Sequence, residues 1–291
     1  MFNKVSLAFD EFSTRIQLTE NQSSTLNARF NIVKGLLEKS FPPTDSTPVS
    51  GVYLMGSAAR NTVIRPFRDL DVFATFTNKE AVFENFRSDS QKFLYRVRER
   101  VGSNTSVIKV GARGQAVRLF YSDGIHVDIA PAFRWNSVGY GLPSGNGTWL
   151  TTNPLAQTAW AKELNKNSNE LFSRRVRMLK RWNFEHSSLF SSWHLEVLVQ
   201  KILPSLTQNS REDLNNFFRL AIDHIGVQDP DGFGGDLSQT LSREKFSLIR
   251  DLLVTSADRS RKALGTESRG NNKECFRLWR VLLGDEFPSY G

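Results

Sequence analysis

Hydrophobic spacing along the 291-residue chain changes character near its middle. Up to about residue 150, helix-like spacing alternates with short strand-like runs; from Pro154 onward the spacing is helical. Residues 1–18 read as a short helix with Leu7, Phe9 and Phe12 as packing positions. Thr19-Glu20-Asn21-Gln22 has the form of a capping box, and Leu26, Phe30, Val33 and Leu37 then give a helix one apolar face through about Lys39. The proline-rich stretch Pro42–Pro48 ends it. Val52–Met55 suits a buried strand, and Asp69–Phe76 a second. Residues 78–100 look helical, with Ala81, Phe83, Phe86, Phe93, Leu94 and Val97 as apolar positions, and Val107–Val110 looks like a strand. Ala116–Phe133 reads as a hairpin turning at Ser122-Asp123-Gly124, with Pro131 ending its ladder. The Gly-, Ser-, Asn- and Thr-rich stretch Asn136–Thr152 predicts a loop and the approximate lobe boundary. Beyond it, Asn165–Glu185 and Ser242–Ala263 read as helices, the latter with Leu241, Phe246, Ile249, Leu252 and Leu253 on one face.

Composition narrows the classes. A hydrophobic fraction of 39% supports a packed core, and no run of 18 apolar residues suggests a membrane span. The start lacks the apolar block of a secretory signal, so a cytoplasmic location is expected. The single cysteine, Cys275, excludes an internal disulfide and a thiolate zinc cluster. A net charge of +8 favours anionic partners such as nucleoside triphosphates or polynucleotides, without separating them.

The chemistry concentrates in Val52–Phe76. Gly56-Ser57 directly follows the first strand, a small step where backbone N–H groups and a hydroxyl can face a phosphate. Along the next strand Asp69 and Asp71 share one face, while Leu70 and Val72 take the other. Two neighbouring carboxylates repel unless solvated or bridged by a hard divalent cation such as Mg²⁺. Asp128 lies on the polar face of the hairpin's second strand, between apolar Val127 and Ile129. The three acids together can hold two metal ions roughly 3.5–4 Å apart.

GSAARNTVIRPFRDLDVF and HVDIAPAF resemble the GS…DxD…D signature of the polymerase-β-like nucleotidyltransferase superfamily, and more narrowly the bacterial cGAS/DncV-like nucleotidyltransferases, the CD-NTases. MLKRWN, the serine–aromatic–His-Leu segment at Ser192–Leu195 and the end Cys275–Pro288 extend the resemblance over nearly the whole chain. One departure is Asn61-Thr62 where many members have Gly-Thr. The resemblance implies an α+β fold: a polymerase-β-like sheet with flanking helices, plus a helical carboxy-terminal lobe. The expected division is 1–150 for the catalytic lobe with its N-terminal helices and 151–291 for the helical lobe, with the site between them. It implies synthesis of a cyclic oligonucleotide, expected to be a dinucleotide, from nucleoside triphosphates with release of pyrophosphate, in bacterial anti-phage signalling. Asp69, Asp71 and Asp128 are then the catalytic metal ligands for two Mg²⁺, for which Mn²⁺ can substitute. Gly56, Ser57, Lys180, Ser192 and Trp193 are the nucleotide contacts by the same match, Lys180 reaching the triphosphate tail and Trp193 stacking on a base. Trp193 also fits a core aromatic, and His194 reads as packing. The final Gly291 matches members whose terminal glycine a ubiquitin-transfer-like partner conjugates. No membrane and no required nucleic acid enter this reading. Its competitors are a nucleotidyltransferase acting on RNA or a small acceptor, and a nucleotide or RNA sensor without chemistry.

Overall fold

The computed structural model describes residues 2–103, 107–135 and 139–291. The chain divides into two compact units. The sheet unit comprises Thr19–Asn61 and Phe67–Ala159; the helical unit comprises the residues through Leu18, Thr62–Pro66 and Trp160–Gly291. The first helix, α1 (Val5–Ile16), therefore belongs with the helical unit and not with the sheet, unlike the expected division at residue 150. Its aromatic side chains explain the placement: Phe9 packs edge-on against Trp279 and Phe287, and Phe12 against Phe287. Leu7, expected to pack, points outward and is 51% exposed.

In the sheet unit, α2 (Glu20–Ser40) opens with the expected capping box, Thr19 and Gln22 each satisfying the other's backbone N–H. Then come β1 (Val49–Leu54), the short α3 (Gly56–Ala59) and β2 (Asp69–Phe76). The 78–100 segment is a 3₁₀ turn over Lys79–Asn85 followed by α4 (Ser90–Gly102). The side chain of Ala81 lies outside the described residues. β3 (Lys109–Arg113) starts later than expected, and β4 (Ala116–Phe120) and β5 (His126–Arg134) form the predicted hairpin. β6 (Tyr140–Pro143) and β7 (Trp149–Thr152) pair as a hairpin inside the stretch expected to be loop. Gly145 and Gly147, at φ +86° and +96°, make its reversal possible. The start of that stretch, Asn136, lies outside the described residues.

The strands form one mixed sheet in the order β1-β2-β5-β4-β3, with β6 also on β5 and β7 on β6. β2 and β5 run parallel at its centre. Pro131 does not end β5. It sits past the last β4 pair, at Ile129, and before the first β6 pair, at Phe133, where β5 is paired with β2 alone. Its missing N–H therefore interrupts neither neighbouring ladder. One sheet face buries Leu70, Val72, Ala74, Phe76, Val127, Ile129 and Phe133. Phe93 from α4 packs there, its ring 4.4 Å from that of Phe133.

The helical unit continues with α5 (Pro154–Asn167), whose chain crosses from one unit to the other, and α6 (Leu171–Glu185). These replace the single helix expected over Asn165–Glu185. Asn169 and Glu170, at φ +50° and +67°, break it, and Asn165 Oδ1 accepts the N–H of Ser173 across the break. α7 (Ser192–Ile202), α8 (Ser210–Ala221), α9 (Arg243–Ser268) and α10 (Asn272–Leu283) follow. The shared core centres on Trp182, Phe217, Phe276, Trp279 and Phe287. Ile249 and Leu253 of α9 reach it, whereas Phe246 remains 40% exposed. After α10 the chain turns at Gly284, φ +81°, where a side chain would meet the Glu185 carboxyl at 2.3 Å. Among the described residues no helix is long and apolar enough to cross a membrane.

Candidate active site

On the sheet face opposite the Leu70–Val72 side, alternation sets Asp69 and Asp71 two residues apart on β2. The parallel register aligns Asp71 with Asp128 on β5, and the antiparallel register aligns Asp128 with Arg118 on β4. Asp71, Asp128 and Arg118 thus form a row across three adjacent strands, at strand spacings of about 4.8 Å. The three predicted acids are brought to one face. Arg118 is the charged member that sequence reading missed. Its Nε donates to Asp128 Oδ1 at 2.6 Å and its Nη2 to Oδ2 at 2.5 Å, a two-pronged pairing. That pairing, together with the charges of Asp69 and Asp71, pushes the Arg118 pKa up.

Gly56 and Ser57 open α3 immediately beyond β1, and the Met55 N–H donates to the Asp71 carbonyl at 2.9 Å. Gly56 adopts φ +62°, and a Cβ there would lie 1.8 Å from Asp71 Oδ2. Only glycine fits both the conformation and the contact. The phosphate-facing turn expected from sequence is thus packed directly on an acid of the pair.

Past Asp71 the same face turns apolar: Met55, Phe73, Ala132 and Leu142 cluster there. Hard oxygen donors on three neighbouring positions suit Mg²⁺ or Mn²⁺ in kind. As placed, Asp128 is turned onto Arg118, and among the described residues no three acids, histidines or cysteines are grouped as a metal site.

The remaining predicted residues lie in the helical unit. Lys180 is only 6% exposed. Its ammonium sits 3.0 Å from Glu196 Oε1 and 3.1 and 3.2 Å from the carbonyl and hydroxyl oxygens of Thr62. Glu196 is fully buried and also accepts from the Thr62 hydroxyl at 2.8 Å. In this structure Lys180 is held in an internal ion pair, where the family resemblance implies an ammonium facing a triphosphate. A lone lysine on a helix's basic face gives no signal of this; the partner Glu196 lies sixteen residues away in sequence.

Ser192 is exposed at the first turn of α7, behind the N-cap Ser191 whose side chain accepts the His194 N–H. Trp193 is half-buried. Its indole N–H donates to Asp229 Oδ2 at 3.1 Å and its ring meets Trp160 edge-on at 5.4 Å. Burial pushes the Asp229 carboxyl up, with the charge of neighbouring Asp231 adding to the rise. His194 is a packing residue as expected, its Nε2 2.7 Å from the Ile225 carbonyl, and burial lowers its pKa. Gly291 is tied back to Phe2 by two backbone hydrogen bonds of 3.3 and 3.2 Å.

The family model described as the Second Messenger Oligonucleotide or Dinucleotide Synthetase domain matches residues 4–165, more than half of the chain. The chain belongs to this family, and with it to the cyclic oligonucleotide synthases, enzymes of nucleotidyl transfer. Among curated relatives, a "Probable cyclic nucleotide synthase" of Bacillus cereus (strain VD146) is 28% identical over 270 residues, covering 81% of each chain. A "Cyclic AMP-AMP-AMP synthase" of Acinetobacter sp. (strain ATCC 27244 / 9458) is 27% identical over 261 residues, covering 81% of this chain and 72% of that one. Among solved structures, Escherichia coli MS115-1 CdnC with ATP superposes with a TM-score of 0.82 at 18% identity, over 99% of this chain and all of that one. At that identity the likeness speaks for the fold: a polymerase-β-like sheet with flanking helices and a helical carboxy-terminal region.

Proposed function

We propose that this chain joins nucleoside triphosphates into a small cyclic oligonucleotide by metal-dependent nucleotidyl transfer, as a cytoplasmic signal in bacterial defence against phage. The observation that carries the catalytic part is the row of carboxylates on β2 and β5, with Gly56 packed against Asp71. Asp69, Asp71 and Asp128 are the residues that would hold Mg²⁺, and bound Mg²⁺ would neutralise the triphosphate and ease ionisation of a ribose hydroxyl. Asp128 takes the proton of the attacking hydroxyl. That oxygen bonds to the α-phosphorus of a second triphosphate, whose bond to the β-phosphate oxygen breaks, releasing pyrophosphate; a second transfer closes the ring. Gly56 N–H and the Ser57 hydroxyl hold phosphate oxygens.

In the helical unit, exposed Ser192 is a proposed phosphate contact and Trp193, fixed by Asp229 and Trp160, a proposed base platform. We assign Lys180 the task of fixing Thr62 and Glu196 in place of phosphate contact. Conjugation of Gly291 by a ubiquitin-transfer-like enzyme requires that the tail first leave Phe2; coexpression with such an enzyme, with no conjugate seen, would remove that reading.

The decisive assay incubates the pure protein with all four ribonucleoside triphosphates and Mg²⁺ or Mn²⁺, then phosphatase, then mass spectrometry. A phosphatase-resistant cyclic product is expected, with its bases and ring size read from its mass. Asp69→Asn/Asp71→Asn should reduce it below detection. Product made only on added RNA or a small acceptor would favour a different nucleotidyltransferase, and unchanged turnover in the double variant would overturn the assignment of the acids.

A further inference from the structure

We propose that Arg118 competes with divalent metal for the Asp128 carboxylate and so sets the affinity of this face for metal. The inference rests on the reading above that Asp128 is a metal ligand. Asp128 has two oxygens, and the Arg118 fork takes both, at 2.6 and 2.5 Å. The fork uses one lone pair of each oxygen, fixes the orientation of the carboxylate and sets a positive charge beside it, so a metal ion meets Asp128 at reduced strength while the pair is intact.

The register makes the competition a property of the fold. Val117 and Leu119, on either side of Arg118, are fully buried on the opposite face, so β4 cannot turn Arg118 away without exposing them. Arg118 and Asp128 are 18% and 19% exposed, which leaves the pair reachable by an ion from solvent. In the row Asp71–Asp128–Arg118 the arginine lies on the far side of Asp128 from Asp71. It therefore draws the shared carboxylate toward β4 and away from the other two acids. When Asp128 moves to a metal, the guanidinium remains on the same face with its donors released and can meet triphosphate oxygens.

The test is Mn²⁺ binding, by calorimetry or by the electron paramagnetic resonance of free Mn²⁺, with no nucleotide present. Arg118→Gln should bind Mn²⁺ about tenfold more tightly than the native protein, the scale of removing one positive charge beside the site. Arg118→Lys keeps a charge but loses the fork and should gain about threefold, which keeps the proposal testable if the glutamine variant does not fold. In an Asp128→Asn background the substitution at 118 should change Mn²⁺ affinity far less, because the contested oxygens are gone. A merely structural ion pair would lower stability without moving metal affinity. Equal or weaker Mn²⁺ binding in both 118 variants, with binding still abolished by Asp69→Asn/Asp71→Asn, would overturn the role of Arg118 and leave the metal reading intact. Mn²⁺ that binds the Asp69/Asp71 double variant as it binds the native protein, or no Mn²⁺ binding at all, would overturn both.

Discussion

At the scale of single residues, the most demanding position is Gly56. Its φ of +62° and the 1.8 Å approach that a Cβ would make to Asp71 Oδ2 act together. Gly56→Ala must push Asp71 away, distort the backbone, or both. A displacement of about 1 Å in a reacting group is worth roughly a hundredfold in rate, and left-handed strain costs about 1–3 kcal/mol. We therefore expect Gly56→Ala to form cyclic product at least about a hundredfold more slowly, with a lowered unfolding midpoint in urea; full activity would mean that Asp71 needs no fixed position. The chemistry at this scale was partly legible. Asp69, Asp71 and Asp128 were readable because strand alternation puts them on polar faces, and the structure brings them to one face. Arg118 was also within reach. A hairpin centred on Asp123 pairs Phe120 with His126 and hence residue 118 with residue 128. Working out that register would have exposed the ion pair.

Secondary elements were most legible where one local rule decided them. The capping box at Thr19 is set by local spacing alone, and it is present. The β6–β7 hairpin was not legible, because its glycines and asparagine read as loop, while its pairing with β5 is a long-range contact. The break between α5 and α6 escaped for a similar reason: Asn165 bonds across it only once both helices are in place. The tie between α6 and α7 is likewise tertiary. Lys180 and Glu196, 6% and 0% exposed, join the two helices through a buried ion pair. Lys180→Met would leave the Glu196 carboxylate buried without the lysine's opposing charge, which costs about 3–5 kcal/mol. Adding Glu196→Gln removes the stranded charge and should restore most of that loss. Urea unfolding of the native, single and double variants measures both steps, and equal stability of the single variant would show that Glu196 finds another partner.

At the scale of the molecule, each unit carries its own packed interior, and the helical one contains a built-in reporter. Cys275 is the chain's one cysteine and lies fully buried on α10 in the core with Trp279. Burial, with the negative charge of Glu267 adding to it, pushes its thiol up from the ordinary 9.0 to about 11. At pH 8 the native protein then holds very little thiolate, and the thiol is also out of reach of a bulky reagent. An aromatic disulfide reagent should leave the native chain unlabelled over minutes and label one thiol per chain in denaturant. Between those limits, labelling against urea concentration reports opening of the helical unit, and a second probe on the sheet unit tells whether the two open together. The linkage has a definite sign. Because the folded thiol ionises later than the unfolded one, the native state keeps its full advantage below pH 9. It loses that advantage progressively as pH rises toward 11. Cys275→Ser removes the thiol, so the loss of stability between pH 9 and 11 should be smaller in that variant than in the native chain. An identical alkaline profile in both would place the ionising group elsewhere.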